Sequence, residues 1–189
     1  MNDSAIITIG TAAPGGVYLL RIRVMADLQV RFGCFNNGSP VSLTTGEYCY
    51  LGSALARGQT PRLGQRVVRH ATRTGAQPPH AIRPALLAHL EILGLEGGRL
   101  LPRQAKKTFW HIDYLLDCLE AEIVNIYLIP TSDAIESALA GFLEAQPETE
   151  VIAKGLGASD AAGYTHLLRV NAAEDWWMES IKRLLKQVA

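Results

Sequence analysis

Two tyrosines, Tyr18 in Gly16-Val17-Tyr18 and Tyr50 in Tyr50-Leu51-Gly52-Ser53-Ala54, each sit in an apolar, β-prone stretch, and Arg62, Arg66, Arg69 and His70 follow at the spacing of helix turns. This order constrains the chain to a β-hairpin that feeds a helix. Such an arrangement brings phenols and guanidinium groups together, a chemistry suited to phosphate.

The strands are read from alternation and turn residues. Residues 16–24 form a strand whose second half alternates apolar and basic side chains, and Asp27 starts a return strand over 28–33, making a hairpin. Asn36-Asn37-Gly38-Ser39-Pro40 is turn chemistry, and a further strand ends at Gly52, so three antiparallel strands are expected before residue 53. Thr60 then reads as an N-cap with Pro61 at the first helical position; Leu63, Val67 and Ala71 mark the buried stripe, and Arg62, Arg66, Arg69, His70 and Arg73 crowd the opposite face.

Beyond residue 80 the pattern continues as alternating elements. Residues 84–93 form a short helix closed by Gly94. Residues 106–116 carry the densest mix of aromatic and ionisable side chains and are a candidate site. A strand over 121–130 is followed by Thr131-Ser132-Asp133 capping a helix over about 134–145, with Ile135, Leu139 and Phe142 inward. A glycine-rich loop at 155–160, a short strand at 165–170 and an amphipathic tail helix at 176–188 complete the chain.

The 189 residues suit one core rather than two. No apolar run approaches the roughly 20 residues needed to cross a bilayer, and the start lacks a basic region followed by an apolar one, so a cytoplasmic protein without a membrane partner is expected. Three cysteines at wide spacing, Cys34, Cys49 and Cys118, are expected as buried reduced thiols rather than a disulfide framework or zinc site. The 18 basic and 18 acidic residues cancel, yet residues 57–73 contain no acid, so a positive patch on a neutral molecule is expected.

Five motifs in order carry a family resemblance: Tyr50-Leu51-Gly52-Ser53-Ala54, Arg66-Val67-Val68-Arg69-His70, Trp110-His111-Ile112-Asp113-Tyr114-Leu115-Leu116, Glu136-Ser137-Ala138-Leu139, and Ser159-Asp160 with His166-Leu167. With Gly16-Val17-Tyr18 they resemble the GIY-YIG nuclease superfamily, and more closely its Uri-type branch, also called domain of unknown function 123. The likeness covers roughly residues 15–170, with residues 1–14 as an N-terminal extension, an insertion near 81–104, and residues 171–189 as an added C-terminal helix. The chain departs from the family at Ser137 and Ala161, where cysteines are usual.

The resemblance implies an α/β domain of α+β type, a small, mainly antiparallel sheet flanked by helices. It also implies a metal-dependent endonuclease acting on DNA, in repair and with a repair-protein partner. Glu136 is then the ligand of Mg²⁺ or Mn²⁺, Arg66 binds non-bridging oxygens, and Tyr18, with a depressed pKa, deprotonates the attacking water. Tyr50 orients water or phosphate, and His70 shuttles a proton or holds the phosphate. Ser53, Arg62, Arg69 and Arg73 are expected to bind substrate, and His111, Asp113, Ser159, Asp160 and His166 to form a supporting network.

The residues also admit plainer readings. Taken singly, Tyr18 and Tyr50 are packed cross-strand aromatics, and the order of the motifs is what argues for a site. His111 and Asp113 are either a structural pair beneath the sheet or part of the site; with Ser159, Asp160 and His166 they are alternatively a second metal site. A nucleic-acid-binding module without cleavage, or a protein-interaction domain contacting through Trp176-Trp177-Met178, are the rival functions.

Overall fold

A strand that is apolar on both faces needs cover on both. Strand β2 (Gly16–Val24) is such a strand, with every residue but Arg23 buried, and two layers of helices enclose it. The computed structural model describes residues 5–11, 13–55, 62–95, 100–101, 105–157 and 163–188. Its other strands are β1 (Ile6–Thr8), β3 (Leu28–Val30), β4 (Val41–Leu43), β5 (Gly46–Ala54), β6 (Ala121–Pro130), β7 (Thr149–Glu150) and β8 (Leu167–Val170); its helices are α1 (Leu63–His70), α2 (Arg83–Ile92), α3 (His111–Leu116), α4 (Glu136–Glu144) and α5 (Glu174–Val188).

The main sheet has the order β1-β6-β2-β5-β8-β7. It is antiparallel except where β1 runs parallel to β6, Ile6 opposite Ile126 and Thr8 opposite Leu128. The fold is therefore mixed α/β, a mainly antiparallel sheet flanked by helices, as the sequence implies. Period-two alternation divides β2 and β5 between two cores. Tyr18, Leu20, Ile22, Tyr48 and Tyr50 pack with α1, α2 and α3, whereas Val17, Leu19, Cys49 and Leu51 pack with Leu139 and Leu143 of α4 and Trp176, Trp177 and Ile181 of α5. Arg21 falls on the second face and is still buried, because Glu47 and Glu174 bind its guanidinium and Trp177 lies 4.8 Å beneath it.

Several expectations change. The return strand at residue 28 does not pair with β2; β3 and β4 form a separate two-stranded ribbon, and the partner of β2 is β5 over nine residue pairs. Residues 6–8 add an edge strand to the sheet. The stretch 81–104 contributes core, since Leu86 and Leu90 of α2 are fully buried and His89 Nε2 lies 2.8 Å from the Thr8 hydroxyl. Helix α4 turns Leu139, Ala140 and Leu143 inward, with Ile135 and Phe142 only half-buried. Of the cysteines only Cys49 is buried; Cys118 is intermediate and Cys34 exposed. The Thr60 cap and Pro61 lie outside the described residues. Among the described residues no helix is long and apolar enough to cross a membrane.

Candidate functional site

Tyr18 points into the face of the sheet covered by α1, and Gly52 lies directly across from it on β5. A Cβ at residue 52 would stand 2.4 Å from the Tyr18 hydroxyl, so the glycine of the second tyrosine motif is the space the first tyrosine fills. Tyr50 stands on the same face, its ring 6.3 Å from that of Tyr18. Both rings meet His70, the last residue of α1, at 5.5 Å and 6.0 Å.

Tyr18 and His70 have no exposure, and the Tyr18 hydroxyl is 2.8 Å from His70 Nε2. On the other side of the ring, His70 Nδ1 faces Asp113 Oδ1 at 3.4 Å, both atoms buried and neither making a closer hydrogen bond. An ionised carboxylate only accepts, so Asp113 assigns the proton to Nδ1, and the Tyr18 O–H donates to Nε2. Burial, partly offset by Asp113, pushes the imidazole down to about 4; Lys106 and Arg66 press in the same direction. His70 is neutral near pH 7.

Asp113 anchors this line. Its Oδ2 accepts from Arg69 Nη2 at 2.7 Å and from the backbone N–H groups of Phe109 and Trp110 at 2.9 and 3.1 Å, while Lys106 Nζ lies 3.4 Å from Oδ1. Burial opposes the charge, but His70, Lys106 and the Phe109 amide outweigh it and hold the carboxyl below the usual carboxylate range. Of the two readings of His111 and Asp113, the direct pair does not occur. His111 Nδ1 accepts the Gly157 N–H at 3.3 Å, and its ring packs on Phe35.

Tyr18 departs from expectation in its acidity. Burial pushes its phenol above the ordinary tyrosine range; the nearby Arg66 charge pulls the other way, and Glu136 and Asp113 add to the rise. The phenol carries its proton at neutral pH, which overturns the expectation of a depressed pKa. Arg66 lies one turn before His70 on α1, and Glu136 meets Ser53, the neighbour of the Gly52 that faces Tyr18. The Arg66 guanidinium also lies over Trp110, 3.9 Å from the ring centroid, with Arg69 at 4.9 Å.

Glu136 opens α4 in the opposite helix layer and meets the site around the end of the sheet. The Ser53 hydroxyl, at the end of β5, donates to its Oε2, and His166 Nδ1 is 3.5 Å from Oε1. Its side chain remains 23% exposed and borders a pocket of about 100 Å³ together with Val17, Ser53 and Asp133. Among the described residues no group of three or more His, Cys, Asp or Glu is placed to hold a metal. A pocket with the Glu136 carboxylate, Asp133 and a serine hydroxyl is a hard-oxygen donor set that fits Mg²⁺ or Mn²⁺, which are held by one or two carboxylates and otherwise by water and phosphate.

Tyr18, Tyr50, Arg66, His70, Ser53, Glu136 and His166 thus gather at the end of β2 and β5, and Asp113 and Arg69 support them from α3 and α1. Arg62 is exposed at the start of α1. Arg73 does not belong with them. It is buried, donating to the carbonyls of Pro78, Leu116 and Ala121 and to Glu122, so it ties α1 to β6 instead of facing substrate. Ser159 and Asp160 lie outside the described residues. Sequence reasoning missed Asp133, although its position three residues before Glu136 was a signal, and missed the His70–Asp113 partnership, for which spacing offers none.

Residues 17–189 match the family model described as Domain of unknown function DUF123. No curated protein and no solved structure matches the chain.

Proposed function

The chain belongs to the DUF123 family, and we propose that it is a metal-dependent endonuclease of the GIY-YIG type that hydrolyses phosphodiester bonds in DNA, with a role in repair. The observation that carries this reading is the convergence of Tyr18 from β2, Arg66 and His70 from one turn of α1, and Glu136 from the start of α4, which reaches the end of β5 through Ser53.

Glu136, with Asp133 beside it, would hold Mg²⁺ or Mn²⁺, and the ion when bound supplies a Lewis acid for a phosphate oxygen. Arg66, its plane set by Trp110, binds non-bridging oxygens as a fixed fork. Tyr18, once substrate binding opens its buried oxygen to the attacking water, would take a proton from that water while passing its own to His70 Nε2, so a phenolate never has to form. The water oxygen bonds to phosphorus, the bond to the leaving oxygen breaks, and that oxygen is protonated from solvent. Asp113 fixes the His70 tautomer and stabilises the imidazolium.

The total burial of Tyr18 and His70 favours a second reading, a nucleic-acid-binding module in which the same line of groups is structural. One experiment separates them: incubation of wild type and Glu136→Ala with supercoiled plasmid and branched DNA, with Mg²⁺, Mn²⁺ or a chelator. The nuclease reading expects metal-dependent nicking that chelator and Glu136→Ala abolish. Folded wild-type protein that binds DNA yet cleaves nothing with either metal would leave only the binding module.

A further inference from the structure

Phe109 is 75% exposed, although it immediately precedes the Trp110 ring that the site uses. It lies beside cations. Its ring meets Trp110 edge-to-face at 4.9 Å, and Trp110 in turn carries Arg66 and Arg69 and touches His70 at 5.9 Å. The backbone beneath it is fixed. The Phe109 N–H donates to Asp113, and the preceding Lys107 carbonyl accepts from Arg69 at 2.5 Å. An apolar ring thus stands in solvent on a hydrogen-bonded segment, beside the guanidinium groups of Arg66 and Arg69.

We propose that the Phe109 ring is a stacking platform for an unpaired nucleobase, so that this site takes a strand with single-stranded or opened character next to the phosphate held by Arg66. The inference rests on the nucleic-acid reading above and names the substrate class for that same site. A nucleobase stacks on any open aromatic face, and its attached phosphate calls for nearby positive charge. Both are present: Lys107 is exposed two residues before the ring, Arg66 and Arg69 lie over the adjoining Trp110, and the carboxylate of the segment, Asp113, is wholly buried and consumed by His70, Lys106 and Arg69. Trp110 cannot serve in place of Phe109, since its ring already carries Arg66 at 3.9 Å. The stacked base also has to leave its duplex partner, because the ring stands beside base-paired DNA only at the cost of unstacking a step.

The test measures binding in chelator, where no cleavage intervenes, of a fluorescent single-stranded oligonucleotide, the same sequence as a blunt duplex, and an abasic strand of equal length. Wild type should prefer the single strand to the abasic one. Phe109→Ala should bind the single strand about tenfold more weakly while duplex and abasic binding stay unchanged, and Phe109→Tyr should restore the preference. Single-strand affinity unaffected by Phe109→Ala, or equal losses on all three probes, would overturn the stacking role while leaving the nucleic-acid reading intact. Wild-type protein that binds none of the probes would overturn that reading, and this inference with it.

Discussion

A phenol and an imidazole 2.8 Å apart, neither touching solvent, have two consequences that separate in experiment. Tyr18→Phe keeps the ring that fills the space over Gly52 and removes only the hydroxyl, so fold and DNA binding should persist while kcat falls roughly a hundredfold or more, the scale of a lost general base. Excess Mn²⁺ should not restore it; turnover by Tyr18→Phe within a few fold of wild type would remove Tyr18 from the chemistry. The second consequence concerns stability. In the unfolded chain His70 takes a proton near pH 6.5, but in the folded protein burial delays this to about 4. Stability from this group is therefore fully present above about 6.5 and lost as pH falls toward 4, on the order of 2 kcal/mol at pH 5. His80, also buried and pushed down to about 4 by burial and Arg73 against the pull of Glu122, acts in the same sense. Urea midpoints should decline between pH 7 and 5, and a flat profile would contradict the neutral buried rings.

At the scale of elements, β2 and β5 are held in a register that sets Tyr18 against Gly52. Gly52→Ala inserts a methyl group where the Tyr18 hydroxyl stands. It should cost about 1–3 kcal/mol from overpacking, measurable as a lower denaturation midpoint, and should reduce cleavage beyond the loss of folded protein; wild-type stability and activity would show that the ring has room to move. The strands bearing the tyrosines were legible in the sequence as apolar, β-prone runs, with apolar and basic residues alternating in the second half of β2. Strand β1 was not, since its three residues show no periodicity and its partner lies at residues 126–128. The supposed hairpin misled because Asp27 looks like a turn, whereas β2 forms nine ladder pairs with β5 and the short return strand finds its three partners on β4. Reading α1 as a uniformly basic exposed face failed for a similar reason. Acids absent from residues 57–73 arrive from Asp113 and Glu122, so Arg69 is neutralised and Arg73 buried, and only distant pairing decides which basic residues remain at the surface.

On the scale of the whole molecule, the sheet is closed on both faces, and the site straddles the end where the layers meet. Trp177 is the largest side chain sealing the second face, buried to 1% against the layer that also presents Glu136. Trp177→Ala should cost about 3–5 kcal/mol, seen as a large drop in thermal midpoint, with activity per folded molecule retained; a change below 1 kcal/mol would show that α5 is an appendage instead of a structural layer. The strand order also has a consequence in time. Tyr18 lies on β2, whose second neighbour β6 begins only at Ala121, and β8 closes against β5 only at Leu167–Val170. On a ribosome adding roughly 5–20 residues per second, the tyrosine-bearing β2–β5 pair waits on the order of ten seconds for its remaining partners. During that interval its unpaired edge and both apolar faces are what a holdase chaperone meets, so the half-made sheet, and not the finished one, is the species at risk of aggregation.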